Sequence, residues 1–148
     1  MLLGRYDSKI SSKFQISYPV KFRKEMGEKL IATKGLENCL IIVSEEGWKT
    51  LLEGTEGQPF TSKPTRQVQR YLLGNAQQIE LDSKGRFILP EYLRTYANLA
   101  EDVVFAGIER FVEVWDKNTW EEEQKRLMGS IETIAEKLSN PAQKDTDE

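Results

Sequence analysis

The sequence predicts an α+β fold, mainly β with short helices, in which one small unit is used twice to build a single pseudo-twofold body. Three observations predict it. The stretch Leu81-Asp-Ser-Lys-Gly-Arg-Phe-Ile-Leu-Pro90 reads as a turn running into a strand, and it occurs earlier in altered form as Ser11-Ser-Lys-Phe-Gln-Ile-Ser-Tyr-Pro19. Short apolar runs bounded by turn residues recur as far as residue 121, the pattern of short strands. From residue 121 to 138 the spacing becomes helical, with Leu127, Ile131, Ile134 and Leu138 on one narrow apolar stripe.

The duplication organises the rest. Setting Ser11 against Asp82 brings Lys13 onto Lys84, Pro19 onto Pro90 and Arg23 onto Arg94, a spacing of 71 residues. After a one-residue offset, Gly35 falls on Gly107, Glu37 on Glu109 and Trp48 on Trp120. Each repeat then has the same order. A strand (residues 6–10; 77–81) enters the turn and a second strand leaves it (15–18; 86–89). A short helix opens on proline, whose missing N–H costs nothing in a first turn. Phe22 and Met26 share one face of the first helix; Leu93, Tyr96 and Ala97 share one of the second. A hairpin follows (30–33 to 40–43; 103–106 to 111–115). A helix carrying Trp48 or Trp120 closes each repeat, with Ser44 and Asp116 as N-caps. The paired tryptophans are expected as core anchors.

Four short strands and a small helix bury little on their own, so the two copies must pack together or interleave. The expected boundaries are residues 4–49 for the first unit, 50–74 for a linker, 75–121 for the second unit and 122–148 for a C-terminal helix and tail. Within the linker, Pro64 starts a helix over residues 63–73. Val68, Tyr71 and Leu72 form its apolar face, and Arg66 and Arg70 share another. From Ser139 the chain is polar and is expected to be disordered.

Composition excludes much chemistry. The only cysteine, Cys39, cannot form an intrachain disulfide and sits in an apolar run as a buried strand residue. There is no histidine, which removes Cys-His and Ser-His-Asp nucleophiles and histidine zinc sites. Neither a catalytic residue, a metal site nor a cofactor is expected. No apolar run is long enough for a membrane span, and the N-terminus lacks a signal-peptide core, so a cytoplasmic protein is expected.

Charge points to nucleic acid. The net charge of −3 hides 12 basic against 8 acidic residues in 1–73, and 9 against 16 in 74–148. Residues 1–24 hold six basic side chains against Asp7 alone. A basic end on an acidic remainder suits binding by one face. Arg5, Lys9, Lys13 and Lys21 of the first repeat and Lys84 and Arg86 of the second are the candidate DNA contacts, the alternative being a plain solvated basic face. Ser11, Asp82 and Gly85 are assigned to the turns themselves: Asp82 caps N–H groups and pairs with Arg86, and Gly85 supplies the backbone freedom a reversal needs.

Four stretches in order, Met1-Leu-Leu-Gly4, Arg66-Gln-Val-Gln-Arg-Tyr-Leu-Leu-Gly74, Leu81 to Pro90 and Val114-Trp-Asp-Lys-Asn-Thr-Trp120, resemble the MraZ family over about residues 1–125. These are bacterial transcriptional regulators built from two SpoVT-AbrB-type swapped-hairpin units. The resemblance implies a tandem AbrB-like double barrel assembled as a ring-shaped homo-oligomer. It also implies binding of double-stranded promoter DNA at short direct repeats ahead of the division and cell-wall gene cluster, with repression there and association with the nucleoid. In that family the N-terminal turn, of pattern Asp-x-x-x-Arg, meets the DNA. This chain departs there: Ser11 and Gln15 replace Asp and Arg, and Phe14 replaces a small or polar residue, while Lys13 is retained. Gln15 remains a candidate contact there, since glutamine can bond an adenine edge, but it brings no charge. Arg5, Lys9 and Lys21, with multivalency around a ring, would offset that loss. The competing function is an antitoxin-like protein-interaction module of the same superfamily. An enzyme built on paired carboxylates has no supporting pattern.

Overall fold

Strand alternation and the two proline stops set the architecture. The computed structural model describes residues 1–139. Its elements run β1 (Leu2–Lys9), β2 (Gln15–Ser17), α1 (Val20–Met26), β3 (Lys29–Lys34), β4 (Leu40–Ser44), α2 (Trp48–Leu51) and α3 (Lys63–Leu72). They continue as β5 (Gln77–Glu80), β6 (Arg86–Ile88), α4 (Glu91–Tyr96), β7 (Asp102–Glu109), β8 (Phe111–Asp116) and α5 (Lys117–Ser139). The fold is therefore α+β, mainly antiparallel sheet with short helices and one C-terminal helix.

The repeats interleave. A six-stranded antiparallel sheet has the order β1-β7-β8-β4-β3-β5, and β2 pairs with β6 in a separate ribbon. The first strand of each repeat thus joins the hairpin of the other, β1 on β7 and β5 on β3. Read backwards, the sheet order exchanges every strand for its counterpart. The pseudo-twofold runs by two pairs, Ile16 opposite Phe87 and Ile41 opposite Glu113.

The core fills the space between ribbon and sheet. Ile16, Phe22, Leu30, Leu40, Ile42, Leu89, Leu93, Val103 and Phe105 are all essentially inaccessible to solvent. Tyr18 sits among rings, its centroid 5.9 Å from Phe87 and 5.4 Å from Phe105, both edge-on. Its hydroxyl lies 3.0 Å from Met26 Sδ. With one repeat supplying Ile16 and Phe22 and the other Phe87 and Phe105, neither repeat owns a complete core.

Several expectations need correction. Pro19 and Pro90 do not occupy the first helical turn; both are N-caps with extended ψ of 128° and 148°. Their carbonyls accept from Arg23 N–H and Arg94 N–H, so each proline ends a strand and starts a helix in one step. Likewise Gly47 is the N-cap of α2, while the Ser44 hydroxyl accepts from Gly47 N–H.

Trp48 and Trp120 are not core anchors: both are only half-buried and neither joins the core cluster. The indole that is buried is Trp115, because the two-residue period of β8 turns it onto the second face of the sheet, opposite Val104.

The match of Gly35 to Gly107 is also displaced. Leu30 pairs with Ile79 and its counterpart Val103 with Ser8, so β3 and β7 stand 73 residues apart, not 72. Extra residues after α4 account for the shift. The two glycines therefore do different jobs. Gly107 lies opposite Gly4, and a Cβ there would run into the backbone of Leu2 and Leu3. Because backbone cannot swing aside, Gly107→Ala is expected to lower unfolding free energy by about 1–3 kcal/mol. A urea midpoint unchanged from wild type would contradict that close approach.

Finally, Met1–Lys117 is one compact unit and the chain from Asn118 is a second, consisting of most of α5. That helix runs unbroken through the boundary expected at residues 121/122 and includes Ser139. None of its residues is buried, and Ile131 and Leu138 on its apolar stripe are exposed. Residues 140–148 of the expected tail lie outside the described residues. Among the described residues no helix is long and apolar enough to cross a membrane.

Candidate nucleic-acid interface

The two turns that flank the β2–β6 ribbon are built alike. In the first, Ser11 N–H donates to Gln15 C=O and Phe14 N–H to Ser11 C=O; in the second, Asp82 N–H donates to Arg86 C=O and Gly85 N–H to Asp82 C=O. Ser11 Oγ accepts from the N–H groups of Lys13 and Gln15, as Asp82 Oδ1 does from those of Lys84 and Arg86. Serine thus replaces aspartate without loss of the turn's hydrogen-bond plan. Gly85 and its counterpart Phe14 both take left-handed backbone, φ +75° and +64°. For phenylalanine that conformation costs about 1–2 kcal/mol.

Each turn is covered by an arginine from the other repeat. The Arg94 guanidinium lies 4.1 Å above the Phe14 ring and donates to Leu89 C=O. The Arg23 guanidinium occupies the space where a side chain on Gly85 would stand. A cation over an exposed ring contributes about 0.5–1 kcal/mol, which offsets part of the strain at Phe14. The equivalence of Arg23 and Arg94 was legible in the sequence; their crossing was not, because it depends on the strand swap.

The turn of the second repeat also carries an ion pair. Arg86 Nε lies 3.0 Å from Asp82 Oδ2. The Arg86 N–H above all, then the Lys84 N–H and the Arg86 side chain, hold the Asp82 carboxyl below the usual carboxylate range. A pKa depressed in the folded state gives stability that is present above the unfolded value and lost as pH falls through the folded one. The second turn should therefore loosen only below the ordinary carboxylate range, whereas the first, capped by Ser11, has no titrating cap. Amide protection at Lys84 and Arg86, taken relative to the intrinsic exchange rate at each pH, should fall in acid in wild type, while Asp82→Asn should abolish that pH dependence; an equal fall in both would refute it.

The structure brings together four of the seven predicted contact residues. Lys13 and Lys84 are exposed in the two turns, and alternation in the ribbon turns Gln15 and Arg86 outward while Ile16 and Phe87 point into the core. Lys21 is exposed in the first turn of α1. Arg5 and Lys9 lie elsewhere: on β1 they point away from the core side that carries Leu2 and Tyr6. There Arg5 Nε is 2.9 Å from Asp7 and Lys9 Nζ 3.8 Å from Asp102. The Arg5 guanidinium first, with Lys117 in lesser degree, outweighs the opposing effect of burial and holds the Asp7 carboxyl below the usual carboxylate range.

Two residues of the same outer face escaped the sequence reading. Ile88, 54% exposed, is the strand partner of Gln15, and Ser17 is the partner of Arg86. Only pairing register identifies them.

Cys39 is buried just ahead of β4, its Sγ 3.1 Å from Leu36 C=O and 3.6 Å from a Glu113 carboxylate oxygen. Burial first and that carboxylate second push its thiol up, out of the reactive range.

A strand-swapped tandem repeat with two matched turns on one ribbon defines the class: a duplicated swapped-hairpin protein with exposed lysines at both turns. Comparison with known proteins narrows it. The family model described as "MraZ protein, putative antitoxin-like" matches twice, over residues 1–71 and 72–142. A protein of Caldanaerobacter subterraneus subsp. tengcongensis is 43% identical over 140 residues, covering 95% of this chain and 98% of its own. Proteins of a Thermoanaerobacter species and of Acetivibrio thermocellus are each 41% identical, over 95% and 94% of this chain and 98% and 97% of theirs. All three carry the name transcriptional regulator MraZ. The chain belongs to the MraZ family, a family of transcriptional regulators and not of enzymes.

Proposed function

We propose that this chain is a sequence-specific DNA-binding regulator. It acts as a ring-shaped homo-oligomer on short direct repeats in the promoter of the division and cell-wall gene cluster, and represses there. The observation that carries the reading is the ribbon. Lys13 and Gln15 at one turn and Lys84 and Arg86 at the other are presented by one two-stranded element with the same turn geometry at each end. A two-stranded ribbon fits the major groove, and exposed lysines beside it suit the flanking phosphates. The names of the relatives support regulation of transcription. A gel shift on the protein's own upstream promoter across a salt series tests the reading. Binding that weakens steeply with salt and protects repeated boxes is expected; absent or salt-insensitive binding refutes it.

The family description's word antitoxin favours one other reading, a module that masks a partner protein. Stoichiometric co-purification of one toxic partner, with no promoter binding, would replace the first reading by this one.

A further inference from the structure

Two apolar surfaces of this chain have no cover. The first is a groove of about 500 Å³ where α3 lies beside the β3–β4 hairpin, lined by Leu36, Ile41, Leu51, Val68, Tyr71 and Leu72. Leu36 and Val68 in its lining are 69% and 44% exposed. Its walls are pinned together: the Tyr71 hydroxyl donates to Gly35 C=O and the Thr33 hydroxyl to Leu72 C=O, both at 2.6 Å. The second surface is the stripe of α5. Leu127 and Ile134 are half-buried, Ile131 and Leu138 are exposed, and no residue of the helix is buried. Helices in proteins take most of their stability from packing such a face.

The two surfaces suit each other in spacing, length and charge. Steps of 4, 3 and 4 from Leu127 to Leu138 are the anchor spacing of a helix lying in a groove. That stretch is about 16 Å long, and α3, with ten residues, about 15 Å. Beside the groove α3 carries Lys63, Arg66 and Arg70 and no acidic residue. Among the described residues Lys63 and Arg70 make no ion pair, and Arg66 bonds only Phe60 C=O and faces that ring. Residues 127–139 of α5 carry Glu132 and Glu136 against Lys137, and both carboxylates are exposed and without an ion pair among the described residues. We infer that the α5 stripe of one copy seats in the α3 groove of the next. The inference rests on the homo-oligomer part of the reading above and names its contact. Because groove and stripe are different patches, copies joined this way run head to tail and close into a ring where the rotation between neighbours allows.

The test is sedimentation velocity of the full-length protein over a concentration series, with one variant for each surface. Leu36→Gln with Val68→Gln alters the groove, and Ile131→Gln with Leu138→Gln alters the stripe. All four positions are exposed and glutamine is a good helix former, so circular dichroism and the urea midpoint should match wild type. Each variant should self-associate more weakly by about 10- to 150-fold for every side chain that the contact buries. Mixed in equal amounts, the stripe variant offers an intact groove to the intact stripe of the groove variant. The mixture should therefore form heterodimers and nothing larger. Assembly like that of wild type by the folded stripe variant overturns the inference alone. So does such assembly by the groove variant, which would mean that α5 pairs with itself, and so does a mixture that stays monomeric. A wild type that is monomeric at every concentration overturns it together with the ring, while promoter binding is read separately in the gel shift.

Discussion

Phe105→Ala is expected to lower the free energy of unfolding by about 3–5 kcal/mol, the range for emptying a buried phenylalanine site. Phe105 is wholly buried, and its ring lies 5.4 Å from Tyr18 and 6.4 Å from Phe87. Those three rings come from both repeats: Tyr18 follows β2, Phe87 lies in β6 and Phe105 in β7. The gap therefore opens where the ribbon meets the sheet, and collapse to fill it would have to pull apart strand pairs on both sides. Domains of this size hold about 5–15 kcal/mol in total, so the variant should be marginal. Because the repeats share one core, its loss should be a single cooperative transition in urea and not the melting of one repeat alone. Phe111→Ala, at a half-buried position of the same sheet, should be milder. Equal midpoints for the two variants, or a two-step transition of the Met1–Lys117 unit, would refute the shared core.

The local plan of the fold was legible in the sequence because it is written in period-2 runs, turn residues and prolines. The 71-residue repetition of Lys13 and Lys84, Pro19 and Pro90 identified the duplicated unit, and the pairing of each turn by Ser11 or Asp82 followed from their side-chain chemistry. What the pattern did not carry was long-range choice. Nothing local to residues 2–9 says that β1 will pair with residues 102–109 instead of its own hairpin. Alternation sets Leu2 and Tyr6 on one face of the strand whichever partner it takes, and the observed pairing is the one that closes the core. The tryptophans failed for a related reason. Equivalent position in two repeats was taken as a sign of burial, but Trp48 lies in one short helical turn and Trp120 in a helix without buried residues, whereas unmatched Trp115 is fixed by strand alternation. At the site, residue types suggested seven contacts; strand direction separates Arg5 and Lys9 from the ribbon, and register adds Ile88 and Ser17.

That separation leads to the largest functional effect expected. Lys13→Ala combined with Lys84→Ala should weaken promoter binding by on the order of 10- to 100-fold near 0.15 M salt and reduce the log–log salt slope by about two units, if each lysine displaces one counterion. Both lysines are exposed, sit at equivalent turn positions, and make no ion pair among the described residues, so their charge is available to phosphate. Arg5 and Lys9 present the contrast. Each faces a carboxylate on its own sheet, Asp7 and Asp102, and their alanine variants should change the slope far less. Exposed pairs of this kind contribute little to stability, so neither set should alter folding much, which keeps the comparison clean. The arginine variants Lys13→Arg and Lys84→Arg should restore the slope, since counterion release depends on charge and not on side-chain shape. If removal of Arg5 and Lys9 flattens the slope more than removal of Lys13 and Lys84, the phosphate-facing surface is the sheet beyond β1 and not the ribbon. If the proposed ring forms, each subunit would contribute its own pair of turns, and the loss per protomer would multiply across the boxes engaged at once.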